Sequence, residues 1–242
     1  LPSSDLLFIT TPDDAIEQTA RQLLAASTPE TPGKRRRGVV LHTSGALSSS
    51  VLNCLREVGY SVGSMHPLVS VSEAVAGAES LRKAFYCVEG ERAAVSLARS
   101  LVRDLGGQSF SIGAQDKALY HAAAVMASGH VVALFDIAVE MLLRCGLTRT
   151  RARAVLLPLL QSTLENLSAH EPSRALTGTF SRADVATVKR HLAALQGETS
   201  REPMAAYRLL GQRSLQLAAK GGANTTALKE IELALQEASR KK

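Results

Sequence analysis

Three features of this 242-residue sequence predict an α/β domain followed by an all-α domain. Short apolar runs of strand type alternate with amphipathic segments up to about residue 113. The connections between them are short, which implies a largely parallel sheet. From Ala114 onward the periodicity is helical, with no further strand-like run. The predicted domains are residues 1–113, of α/β type, and residues 114–242, helical.

Each element can be read in order. Leu6-Leu7-Phe8-Ile9 is a core strand leading through Thr10-Thr11-Pro12 into an amphipathic helix from Asp13 to about Ala26. Val39–Leu41 is the second strand and Ser48–Val58 the next helix. Tyr60–Met65 is a third strand ending at His66-Pro67, and Ala84–Val88 a fourth. A helix over Glu91–Leu105 closes at Gly106-Gly107, and Ser109–Ile112 completes the series. Helices are then predicted over Gln115–Cys145, Thr148–Ser168, Ser181–Gln196, Pro203–Ala219 and Thr225–Ser239. Thr148 and Ser181 suit N-caps, Gly146 and Gly197 suit helix stops, and Pro158 should kink its helix.

Composition narrows the function classes. At 45% hydrophobic and 21% charged residues, the chain suits a soluble protein with a real core. The net charge of +6 invites a polyanion, but aromatics are only 4% and tryptophan is absent. The basic cluster Lys34-Arg35-Arg36-Arg37 reads as a solvated Pro/Gly turn, so no nucleic-acid partner is expected. Cys54, Cys87 and Cys145 are odd in number and widely spaced, which argues against a disulfide framework or a metal site and for a reducing cytoplasm. The apolar run Ala122–Leu143 is interrupted by Ser128, Gly129, His130, Asp136 and Glu140. It reads as a buried core helix, and no membrane span is expected.

The chemistry-bearing residues fall at three places. Asp116-Lys117-Ala118-Leu119-Tyr120-His121 opens the first long helix and sets Lys117 and His121 one turn apart on one face. An ammonium and an imidazole so placed can stabilise an oxyanion or deliver a proton. The alternative is a solvated cap lysine and a packed core histidine. Thr10-Thr11-Pro12-Asp13-Asp14 and His42-Thr43-Ser44-Gly45-Ala46 each follow a strand, at the end where ligands bind in such sheets. His42, Ser44 and Gly45 offer polar groups and a close backbone approach, and His66 ends a third strand at the same rim. Ordinary strand-to-helix turns would use the same residues.

Together, Phe8–Ile16, His42–Ala46, Gly63-Ser64-Met65-His66-Pro67-Leu68 and Asp116–Ala124 resemble the Rossmann-like and DUF2520 domain-containing proteins. These are relatives of pyrroline-5-carboxylate, ketopantoate and 6-phosphogluconate dehydrogenase-type reductases. Gly178-Thr179-Phe180-Ser181-Arg182-Ala183-Asp184 resembles the family's Gly-Pro-x-x-Arg-x-Asp segment, with Thr179 in place of proline. The resemblance implies a Rossmann-like NAD(P)-binding domain followed by a helical domain like the C-terminal one of 6-phosphogluconate dehydrogenase. It implies an oxidoreductase of a small oxo, imino or hydroxy acid, using NADP(H) rather than NAD(H) and no metal, and forming a homodimer through the helical domain. A non-catalytic dinucleotide-binding or sensing homodimer is the alternative.

On this resemblance Lys117 and His121 are catalytic, His121 standing where related β-hydroxyacid dehydrogenases carry asparagine. Thr10, Thr11, Pro12, His42, Ser44 and Gly45 would contact the cofactor, and Ser44, His66, Arg182 and Asp184 the substrate. Relatives begin with a strand, a GxGxxG turn and a helix. No GxGxxG occurs here, so the residues given are expected to follow a further segment carrying that turn.

Overall fold

In the computed structural model, residues 6–26, 38–71, 73–197 and 201–238 are described. The chain divides into two compact units, Leu1–His130 and Val131–Lys242, a division falling after the helix that Lys117 opens. The Lys34–Arg37 cluster lies outside the described residues.

The first unit is built on a five-stranded sheet in the order β1 (Leu6–Ile9), β2 (Val39–His42), β3 (Ser61–Pro67), β4 (Phe85–Gly90) and β5 (Gln108–Phe110). β1, β2 and β3 are mutually parallel, as are β4 and β5. The β3–β4 pair is antiparallel, which the expectation of a βαβ series had not included. Among its described residues the connection between them holds one helix, the eight-residue α3 (Ala74–Leu81). It does not carry the chain back across the sheet, so β4 starts beside the end of β3. Gly63 and Gly90 make the pairing close. A Cβ on Gly90, at φ +132°, would lie 2.5 Å from the Gly63 Cα.

Alternation along the strands sends side chains to two cores. On one face Leu41, Met65, Tyr86 and Val88 pack with Ala94, Ala98 and Val102, which recur every fourth residue on α4 (Arg92–Asp104). On the other, Ile9, Val40 and Val62 pack with Ile16 and Ala20 of α1 (Ile16–Ala25) and with Leu52 and Leu55. Ser49–Leu52 is a 3-10 turn running into α2 (Asn53–Arg56). Burial of a large aliphatic side chain contributes about 1.5–3 kcal/mol, so these two layers hold the unit together.

The predicted helix Gln115–Cys145 is two helices, α5 (Lys117–Ala127) and α6 (Gly129–Arg144). Ser128 breaks it with φ −124° and ψ −80°, its hydroxyl donating to the Ala124 carbonyl at 2.8 Å. By length and composition the run Ala114–Arg144 holds a stretch apolar enough to cross a membrane, an 18-residue window with a mean hydropathy of 1.8. It is also not the buried core helix expected, since only 6% of its most apolar stretch is buried.

The second unit continues with α7 (Arg149–Ala169), α8 (Pro172–Ala175), α9 (Gly178–Ser181), α10 (Val185–Gln196), α11 (Glu202–Lys220) and α12 (Thr225–Glu237). Its core joins Val188 and Leu192 of α10, Leu215 and Ala218 of α11, and Leu228, Ile231 and Leu235 of α12. Thr148 caps α7, accepting from the Arg151 N–H, and Gly146 takes φ +86° after α6. α10 is capped by Asp184 rather than by the expected Ser181. The Asp184 carboxylate accepts from the Thr187 N–H at 3.0 Å, three residues on.

Candidate functional site

Register builds the site. His42, Ser64 and Glu89 are direct neighbours on β2, β3 and β4. They alternate with Leu41, Met65 and Val88, so they form a polar row on the sheet face opposite α4. All three are buried.

Lys117, in the first turn of α5, lies over this row and is 1% exposed. Its Nζ donates to the Ser44 carbonyl at 3.0 Å and to Ser64 Oγ at 3.2 Å. Glu89 is held from both sides. Its Oε1 accepts from Ser49 Oγ at 2.7 Å, and its Oε2 from the Ser49 N–H at 2.8 Å and Ser64 Oγ at 3.4 Å. The solvated cap lysine is therefore excluded, because the ammonium end is inside.

One step further along the strands, His66 pairs in register with Cys87. His66 Nδ1 and the Tyr120 hydroxyl hydrogen-bond at 2.7 Å. The His66 ring meets Tyr120 and His121 edge-on, with centroids 5.6 and 5.8 Å apart, and Phe110 meets Tyr120 at 5.8 Å. His121 is half-buried in this ring cluster, not packed in the core. Gly45 faces the same rings. A Cβ there would stand 2.5 Å from His121 Cδ2 and 2.7 Å from His66 Nε2.

Burial sets the charges. It lowers His42 to about 4, helped by the Lys117 cation and opposed by the Ser48 carbonyl, Glu89 and Asp13. His66 also falls to about 4, through burial first and then Lys117 and His121. Burial pushes Lys117 below the ordinary lysine range, while Cys87, Glu89 and Asp13 oppose it. Burial raises the Tyr120 phenol and the Cys87 thiol. The site thus places one buried amine among neutral imidazoles.

The loops after β1 and β2 are tied together. Ser44 Oγ donates to Asp13 at 2.8 Å and accepts from the Ala46 and Leu47 N–H groups at 3.2 and 3.0 Å, so this hydroxyl is engaged within the chain. His42 Nδ1 accepts from the Ser44 N–H at 3.2 Å, which places the proton of the neutral ring on Nε2. Among the described residues, His42 Nε2 and Thr11 Oγ1 are the buried side-chain polar atoms without a hydrogen-bond partner. The Ser48 carbonyl favours the charged ring without making a bond of ordinary geometry. Buried polar groups are normally satisfied, which makes these two atoms candidates for contact with a ligand. Thr10 and Pro12 are exposed beside Thr11. Arg182 and Asp184 belong to the second unit, where Arg182 is exposed and Asp184 serves as the α10 cap.

Glu89, Ser49, Ser64, Tyr120 and Cys87 were not singled out as site residues from the sequence. The available signal was Glu89 itself, a lone charge at the end of the apolar run Phe85-Tyr86-Cys87-Val88. Its partners follow only from the register.

A mostly parallel sheet with a polar site at the ends of its first strands, followed by helices, defines a Rossmann-like α/β protein with a helical C-terminal region. The chain belongs to the family described as domain of unknown function (DUF2520), whose model matches residues 84–214. Similar folds occur in protein TM1727 from Thermotoga maritima, with 22% identity, TM-score 0.70, and coverage of 90% of this chain and 79% of that one. They also occur in Plasmodium falciparum pyrroline carboxylate reductase with NADP bound, with 13% identity, TM-score 0.52, and coverage of 98% and 76%. A reductive aminase from Aspergillus terreus in complex with NADPH and ethyl-5-oxohexanoate has 16% identity, TM-score 0.51, and coverage of 98% and 75%. No curated protein matches the sequence.

Proposed function

We propose that this protein is an NAD(P)H-dependent oxidoreductase of a small oxo or imino acid, working as a homodimer in the cytoplasm. The observation that carries the reading is Lys117. A buried amine is fixed by two acceptors at the ends of strands in a fold that, in other proteins, is seen with NADP or NADPH bound.

The residues fit the nicotinamide end of such a cofactor. His42 Nε2 and Thr11 Oγ1 are buried and unpartnered, while the His66 and His121 rings fill the place a side chain on Gly45 would take, so that Gly45 would contribute only its backbone. His42, Thr11 and Gly45 would hold it, with Thr10 and Pro12 at the edge. When bound, the cofactor supplies hydride to a C=O or C=N carbon. NADP(H) is preferred over NAD(H) on the bound nucleotides of the similar folds.

Lys117 has three N–H donors as an ammonium, and two are spent on Ser44 and Ser64. The third is available for negative charge developing on the substrate heteroatom, where a fixed donor in a dry site lowers the barrier. His121 orients the substrate and His66, paired with Tyr120, borders it.

A second reading, a dinucleotide-binding or sensing protein without turnover, is favoured by the 1% exposure of Lys117. The two are separated by titrating the full-length gene product with NADPH and then screening small oxo and imino acids for consumption of NADPH absorbance. Binding without consumption supports the sensor, and absence of binding removes both.

A further inference from the structure

We propose that Glu89 is the positioning residue of this site, fixing the charge and direction of the Lys117 amine through the hydroxyl of Ser64. This deepens the reading of Lys117 as a donor to substrate and rests on it for its catalytic consequence.

Both oxygens of Glu89 already accept hydrogen bonds, from Ser49 Oγ on one side and from the Ser49 N–H and Ser64 Oγ on the other. Three donors thus converge on its two oxygens, the pattern that an acceptor-only carboxylate takes. Because Ser64 gives its only proton to Glu89, it can offer Lys117 only a lone pair. Lys117 must then donate along that line, as it donates to the Ser44 carbonyl. With two directions fixed, the tetrahedral geometry of nitrogen fixes the remaining one.

Charge follows the same path. A neutral amine would satisfy Ser44 and Ser64 with its two protons and leave a lone pair facing the site. An ammonium leaves an N–H. The groups facing Lys117 are Glu89 and Cys87 from β4, His66 from β3, His42 from β2, Asp13 from the turn before α1, and Tyr120 and His121 from α5. His42 and His66 are lowered by burial and the Cys87 thiol is raised by it, and Asp13 is exposed to solvent. Glu89 is thus the one buried carboxylate among them that balances the ammonium. A buried cation without a partner loses its proton, so Glu89 decides whether the site presents a donor or a base.

The test is direct titration of Lys117 by NMR in full-length protein carrying 13Cε-labelled lysine, with Lys117→Met identifying the resonance. In Glu89→Gln, which keeps the size of the side chain and one of its two acceptor oxygens but removes the charge, the Lys117 midpoint is expected to fall by about one pH unit, a tenfold loss of proton affinity. Ser64→Ala leaves the Ser49 contacts to Glu89 intact and should move the midpoint the same way by less. It carries the test if Glu89→Gln does not fold. An unmoved midpoint in the folded variant overturns the proposal.

The catalytic consequence has its own readout. With a panel of oxo and imino acids including pyrroline-5-carboxylate, the alkaline limb of kcat should shift with the NMR midpoint. A shifted midpoint with an unshifted limb leaves Glu89 as the group that sets Lys117 and removes Lys117 from turnover.

Discussion

Lys117 and Ser44 are joined by a 3.0 Å hydrogen bond from Nζ to the main-chain carbonyl, across 73 positions of sequence. The bond anchors the first turn of α5 to the loop after β2. The same loop is held from below by Ser44 Oγ on Asp13. One serine thus connects three segments that sequence separates, and its two oxygens have different partners.

Replacement of Lys117 by Met should therefore affect both folding and turnover. The Ser44 carbonyl loses a partner in a buried place, at about 1–3 kcal/mol. Removing a buried charge offsets part of this, so a net loss of about 1 kcal/mol is expected in denaturant unfolding. The catalytic rate should fall roughly a hundredfold, the scale of one oxyanion donor. Full activity in Lys117→Met would exclude the lysine from the mechanism.

The lowered imidazoles predict an acid-labile fold. The folded pKa of His66 is about 4 and its ordinary value is 6.5. Between these limits the unfolded chain binds a proton that the folded one does not, so stability rises with pH through the window and is lost as pH falls through it. His42 adds in the same sense. His66→Gln should flatten the slope of unfolding free energy by about 1.4 kcal/mol per pH unit between pH 4.5 and 6. Identical slopes in variant and parent would show that His66 titrates normally.

Gly45→Ala probes the ring cluster without touching its members. The added methyl would lie within 2.8 Å of two imidazoles, so His66 and His121 must move. Overpacking of this kind costs about 1–3 kcal/mol. The expected result is a lower melting temperature and displaced histidine resonances. Unchanged His66 and His121 signals would mean the loop backbone gives way instead.

The sequence shows what is periodic and hides what depends on register. The α/β alternation and the later helices were legible because burial repeats every second or fourth residue, as with Ala94, Ala98 and Val102. Lys117 was legible as a charge at the start of an apolar helix, though its depth was not. Depth depends on Ser44 and Ser64, which no local pattern brings to it. Glu89 stands opposite Ser64 only because β4 runs antiparallel to β3, and a short connection with one eight-residue helix decides that direction. The break at Ser128 was missed for a simpler reason. The pair Ser128-Gly129 is a local signal for a turn or kink, but the expectation of one long helix counts it as polarity within an apolar run and not as a stop.

The exposed apolar surface of α6 and α7 makes the last prediction. Val132 is 69% exposed and Leu159 64%, with Leu134 and Leu164 also in solvent. Large apolar side chains exposed in such number are commonly covered by a partner. A second copy is the partner proposed. If Val132 lies in that contact, Val132→Asp places an unpaired carboxylate in a closed interface, at several kcal/mol, while costing the single chain little because the site is already open. Phe135 and Val125, half-buried on the same run, would amplify a disturbance there, whereas Val139 is 1% exposed and belongs to the packing of the single chain. Val139→Asp should accordingly unfold the protein, and Val132→Asp should only dissociate it. Analytical ultracentrifugation of both variants beside the parent decides this. A Val132→Asp protein that stays dimeric at submicromolar concentration would move the interface away from α6.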